Sequence, residues 1–373
     1  MKHKFLYYVV GVFIILSIPG LANREFWFDE AASLNVSQRD IPILLETTAR
    51  DTHPPFYFLL LKGWSAISEN RYFLRTLSLF FGVASIFLMW QLAHKLILHH
   101  APIATLLLAV SPLTIYYATE IRMYALFLLE SLILTIWFLQ FISYPSKINS
   151  LKILLASLVS LYTHYYSILL LASFSIWIWS KKKQLFKSWL AIQITTWLFF
   201  FPWVVYIMQF PKPLCWCFPI GIGLPALIIS LSAGGVGMVT IKDIFFFGPK
   251  SIQALFIILP ILLFFLFMKG SNRHTYTASL IKCLIIIPLL IIIPLSIITL
   301  SFSPRAFIFL LPFYMMLAAN GIPSFKNLSK LVLVSLLFLL VLTDIVEGFN
   351  PFFTRLPPYK KNLNIKSLDF FNP

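Results

Sequence analysis

The stretch FYFLLLKGWSAI, Phe56 to Ile67, decides how the chain is laid out. It offers roughly a dozen apolar residues, interrupted by Lys62, against the ~20 that a helix needs to cross a bilayer. Such a helix lies at the membrane interface, and the chain stays on the side it had already reached. Upstream, Phe5 to Leu21 is a full-length apolar run behind Lys2 and Lys4, and positive charge beside a span marks the cytoplasmic side. No small-residue cleavage site follows that run, so it is expected to be the first span rather than a signal peptide. The loop 23–72 then faces outward with interfacial helices. Downstream, a second span runs from about Phe73 to His94. The basic connections at 95–100, 147–152, 181–187, 269–273 and 326–330 all fall inside.

Further apolar runs at Ala101 to Tyr117, Met123 to Ile142, Trp189 to Met208, Ile252 to Met268, Leu280 to Leu300 and Leu331 to Thr343 are near spanning length. Leu151 to Ser180 fits two slightly short crossings with Thr163, His164, Tyr165 and Tyr166 at an outward turn. Gly234, Gly235 and Gly237 break the run 220–244, so 209–250 is expected to be a second outward, partly interfacial loop. The expectation is an all-α polytopic membrane protein with about eleven transmembrane helices. Residues 1–346 form one transmembrane domain and 347–373 a short outward tail.

Composition supports this. Of 373 residues, 60% are hydrophobic and 11% charged, with a mean hydropathy of +0.88, far outside the range of a soluble globular domain. The net charge of +16 sits in short groups between apolar runs rather than in a basic stripe, which speaks for topology signals and against nucleic acid. Cys215, Cys217 and Cys283 are too few for a disulfide framework, and Cys-Trp-Cys is too tight for a zinc site.

On this topology the outward side collects Asp29 with Glu30, Asp51 with His53, Glu120 with Arg122, His164, and Arg305. Any one of them is explained as a solvated loop charge or a snorkelling anchor. As a set drawn from distant parts of the chain they point to chemistry at the outer face. Pro54 and Pro55 suit the first turn of a helix on structural grounds alone, and Glu130, inside a span, is expected to have a structural partner. Tyr57, Tyr124, Tyr165 and Tyr166 suit either a sugar pocket or an interfacial aromatic belt.

The Asp29-Glu30 pair, His53-Pro-Pro-Phe-Tyr57, Glu120-Ile-Arg122-Met-Tyr124 after Ser111-Pro112, the Thr163-His-Tyr-Tyr166 turn and Ser303-Pro-Arg305 occur in order. This pattern resembles the dolichyl-phosphate-mannose-protein mannosyltransferase-like glycosyltransferases of the GT-C fold, over roughly Phe5 to Gly321. The likeness is to the bacterial branch acting on lipopolysaccharide or cell-envelope glycans. His53-Pro54-Pro55 stands where the aminoarabinose transferases carry acid-Lys-Pro.

The resemblance implies transfer of a sugar from a polyprenyl phosphate to a lipid A, glycan or protein hydroxyl. It places the protein in the cytoplasmic membrane, with its site facing the periplasm or cell exterior. It makes Asp29 the general base, with Glu30 orienting the acceptor or binding a cation. Arg305 and Arg122 hold the donor phosphate, with Arg75 and Lys62 in reserve, and His53, Glu120, Tyr124, His164 and Tyr57 bind substrate. A divalent cation is a candidate cofactor, with Glu30, Glu120 and His164 as its ligands. The rival classes are a lipid or polysaccharide transporter or flippase, which would carry charges through its spans, and an oligosaccharyl ligase with a lipid pyrophosphate donor.

Overall fold

The computed structural model describes residues 2–23, 28–211, 220–233, 250–272, 276–299, 302–322 and 326–349. The protein is an all-helical integral membrane protein. The first helix, α1 (Lys2–Asn23), is long and apolar enough to cross, as the sequence predicts. Three short helices follow: α2 (Phe28–Gln38), α3 (Ile41–Arg50) and α4 (Phe56–Ser65). At 10 residues, α4 is about 15 Å long, half the hydrocarbon thickness. Lys62 on α4 donates to the Arg39 carbonyl at 2.8 Å, tying it to the end of α2. Trp64 stacks on Phe73 at 5.0 Å and donates to the Phe73 carbonyl at 3.1 Å. Lys62 therefore closes the end of α2 in this structure.

Next comes α5 (Arg71–Leu96), whose N-cap Asn70 accepts the Tyr72 amide. The predicted span Ala101 to Tyr117 is two helices, α6 (Ala101–Ala109) and α7 (Pro112–Ala118), bent by 54°. Pro112 cannot donate into a continuous helix, so the break falls just before it. The site end of α7 leads into α8 (Tyr124–Ser143), which is 72% buried along its apolar window, against 28% for α1. That difference makes α8 the central helix of the bundle and α1 a lipid-facing one. The hairpin α9 (Lys147–Thr163) and α10 (Ser167–Lys181) turns at His164, as expected.

The remaining elements are α11 (Phe186–Ile207), α12 (Ile220–Ala233), α13 (Lys250–Ser271), α14 (Tyr276–Thr299), a 3-10 segment (Pro304–Leu310), α15 (Leu311–Gly321) and α16 (Lys326–Phe349). The second loop therefore contains a helix, α12, which packs on α13 and the 3-10 segment. Residues 212–219 and 234–249 of that loop lie outside the described residues. Glu347 to Phe349, expected to begin the polar tail, continue α16, and the rest of the tail is not described. Where α13 crosses α15, a Cβ on Gly270 would strike the Leu317 carbonyl and one on Gly321 the Leu266 carbonyl, so only glycine permits the approach.

Among the described residues, five helices are long and apolar enough to cross a membrane, and the bent α6–α7 pair makes a sixth. Four shorter apolar helices, in α10, α12, α13 and α16, accompany them. The roughly eleven expected spans, some of them short, correspond among the described residues to five long helices, one bent pair and four shorter apolar helices.

Candidate active site

Asp29 and Glu30 occupy the first turn of α2, where unpaired amides favour carboxylates. Successive helix residues point about 100° apart, and these two acids part company. Glu30 turns inward: Arg75 donates to it through Nε at 2.9 Å and Nη2 at 2.7 Å, and the Ile121 amide donates at 3.1 Å. The Glu30 and Arg75 side chains are 1% and 0% exposed. Arg75 also donates to the Leu21 carbonyl at 3.1 Å. Together they bind the end of α1, the start of α2 and the 119–123 loop to α5. Glu30 and Arg75 thus form a buried framework pair, each engaged by the other and by backbone groups.

Asp29 turns toward the cluster. Arg305 Nη1 donates to its Oδ2 at 2.8 Å, and Arg122 Nε lies 4.0 Å from the same oxygen. Burial pushes the Asp29 carboxyl up, but the Arg122 and Arg305 charges outweigh it and hold it below the usual carboxylate range. Arg122 is further fixed by Nη1 donation to Ser33 Oγ at 3.2 Å, and Ser33 Oγ donates back to the Asp29 carbonyl at 2.8 Å. Ser33 gave no sequence signal beyond lying one turn after Asp29.

Tyr124, the first residue of α8, is the hub. Its ring centroid lies 5.8 Å from the Arg305 guanidinium and 5.9 Å from that of Arg122. The His53 ring is 6.4 Å away and the His164 ring 6.0 Å. Tyr117 packs behind it at 4.5 Å. His53 follows Asp51, whose carboxylate is 3.6 Å from Nδ1. Burial would raise the Asp51 carboxyl, yet His53 and Arg122 take it down to about 2. Burial pushes the His53 imidazole below its ordinary value.

His164 lies 5.6 Å from His53 and stacks on Phe127 at 4.7 Å, one turn below Tyr124 on α8. Glu120 is 1% exposed, and its carbonyl accepts from Ser78 and from the Arg122 amide. Tyr57 is fully buried on α4 near Glu30 and Glu120, and burial raises its phenol. Tyr165 instead accepts from Trp203 at 3.1 Å. Glu130 accepts from Thr163 Oγ1 at 2.7 Å.

The cation set expected from the sequence does not assemble. Among the described residues, no three His, Cys, Asp or Glu side chains converge on a point. Glu30 is spent on Arg75. His164 Nδ1 accepts the Tyr166 amide at 3.1 Å, whereas a metal-bound histidine donates from its second nitrogen.

No protein-family model and no curated protein matches the chain. Solved structures do. Crystal structures of ArnT from Cupriavidus metallidurans superpose with TM-scores of 0.58 in the apo state and 0.56 bound to undecaprenyl phosphate, at 14% and 13% identity. Each match covers 87% of this chain, which spans 60% and 61% of the ArnT chain. Over that coverage the helices are arranged as in ArnT, and the chain has the GT-C fold.

Proposed function

We propose that this protein is a membrane glycosyltransferase that moves a monosaccharide from a polyprenyl-phosphate donor to a hydroxyl of a lipid, glycan or protein acceptor at the outer face, with inversion. The observation that carries the proposal is the Asp29 carboxylate held between Arg122 and Arg305 beside Tyr124. Two guanidiniums that converge on one anion are suited to bind phosphate oxygens in its place. The match to a structure with undecaprenyl phosphate bound supports a lipid phosphate as that ligand. The charges cluster where helices end. A transporter would thread them through its spans, and Glu130, the acid inside α8, is engaged by Thr163.

In this mechanism the donor phosphate binds Arg122 and Arg305. The bond from the anomeric carbon to the phosphate oxygen breaks, and its electron pair leaves with the phosphate, whose charge the two arginines neutralise. The acceptor oxygen forms the new glycosidic bond on the opposite face, and its proton passes to Asp29. The arginines that hold the phosphate are the ones that suppress Asp29 basicity in the free protein. Donor binding draws their charge toward the phosphate, so the base strengthens as the substrate arrives.

Transfer of labelled sugar from a panel of undecaprenyl-phosphate monosaccharides, by purified protein with envelope acceptors, tests the proposal. Asp29→Asn should lower transfer by about 10²- to 10⁴-fold while retaining donor binding, and Arg305→Ala should raise the donor concentration required. A folded Asp29→Asn protein that transfers at the wild-type rate would remove Asp29 as the base.

A further inference from the structure

His164 is the C-cap of α9 and is 5% exposed. Its Nδ1 accepts the Tyr166 amide, so that nitrogen bears no proton. The accepting Nδ1 makes the ring a neutral imidazole, and burial with the Arg122 and Arg305 charges pushes it the same way, well below its ordinary value. A neutral imidazole with an unprotonated Nδ1 carries its proton on Nε2. Among the described residues, that Nε2 is buried and has no hydrogen-bond partner. An unmet buried donor is unfavourable, and a ligand oxygen would satisfy it.

The surroundings say what kind of oxygen. Phe127 covers one face of the ring, and His53, Tyr124 and Tyr166 are its other aromatic neighbours, at 5.6, 6.0 and 5.4 Å between centroids. Tyr124 also touches the guanidiniums of Arg122 and Arg305 from about the same distance, 5.9 and 5.8 Å. A group bonded to a phosphate at the arginines therefore reaches across Tyr124 toward His164. A phosphate itself would seek the arginines. An uncharged donor within an aromatic wall suits a neutral hydroxyl.

Resting on the donor assignment above, we infer that His164 Nε2–H donates a hydrogen bond to a hydroxyl of the donor's sugar, making His164 a specificity residue for the glycosyl group. Losing that bond leaves lipid and phosphate binding intact and removes the preference for a sugar-bearing donor.

The test measures binding of the purified full chain in nanodiscs to undecaprenyl phosphate and to the same lipid phosphate carrying glucose, mannose or galactose. The wild type should bind at least one glycosylated lipid about tenfold more tightly than the bare one. His164→Phe should bind bare undecaprenyl phosphate like the wild type but lose that advantage, and His164→Gln, which keeps an amide donor, should retain most of it. Equal sugar preference in His164→Phe and wild type would overturn the inference and leave the donor assignment standing. So would a wild type that binds all four lipids alike. A wild type that binds none of them would defeat the donor assignment and the inference with it. Nitrogen-15 spectra of the wild-type histidines, assigned by His164→Gln, supply a readout independent of how His164→Phe folds. They should show His164 as the neutral Nε2–H tautomer, and an imidazolium or an Nδ1–H ring would overturn the inference.

Discussion

Asp29 and Glu30 are neighbours with opposite fates, and helix geometry separates them. Asp29 faces two arginines across a partly open cluster, with its side chain 18% exposed, whereas Glu30 is sealed against Arg75. Glu30→Gln should therefore act on stability. Breaking one side of a buried ion pair strands the other charge and costs about 3–5 kcal/mol. Denaturant titration should show a loss of that order, with the Glu30→Gln/Arg75→Gln pair less destabilised than the sum of the single changes. A Glu30→Gln protein of wild-type stability with an altered acceptor requirement would return Glu30 to the substrate.

The Asp29 carboxyl supplies a second residue-scale outcome. Its pKa is held below the ordinary 3.8 in the free protein, so its ion pair with Arg305 contributes above the ordinary carboxylate pKa and is lost only as pH falls through the lowered value. Once a donor phosphate shares the arginines, the carboxyl pKa rises. The acid limb of kcat/KM reports the free enzyme and that of kcat the bound complex. The kcat limb should therefore lie at higher pH than the kcat/KM limb. Coincident limbs would mean that donor binding does not change the field at Asp29.

At the scale of elements, the sequence carried the short α4, the hairpin turn at His164 and most spans, because each follows from a local quantity: an apolar length, a proline or a basic flank. The 54° bend before Pro112 came through only as a Ser-Pro, since the length of Ala101 to Tyr117 suits one span. The pairing of Glu30 with Arg75, 45 residues away, and the stacking of Phe127 under His164 were out of reach. A pattern along the chain identifies an acid or an aromatic ring but not the partner that packing brings to it. Lys62 shows the same limit: its charge looked like a phosphate reserve, and its contacts make it a helix-end cap.

The layout of elements sets an outcome for topology. With Cys215, Cys217 and Cys283 changed to serine, single cysteines at the exposed positions Ile67 and Met208 stand at the site end, and those at Leu98 and Tyr144 at the other. A reagent confined to the outside should modify the first pair and spare the second. The reverse pattern would put the site in the cytoplasm and rule out an outer-face acceptor.

At the scale of the whole molecule, a bundle centred on α8 gathers groups from five separate parts of the chain around Tyr124, beneath the cap formed by α2, α3 and α4. The GT-C arrangement explains how residues as distant as Asp29 and Arg305 meet at 2.8 Å. The group that replaces Asp29 at those arginines decides whether they hold the donor phosphate. The most direct measurement is a cryo-EM map of the protein in nanodiscs with undecaprenyl phosphate. Phosphate density is expected between Arg122 and Arg305 on the Tyr124 side, with the Asp29 carboxylate released from Arg305. Phosphate density elsewhere, with the Asp29–Arg305 pair intact, would contradict the assignment of the donor phosphate to the two arginines.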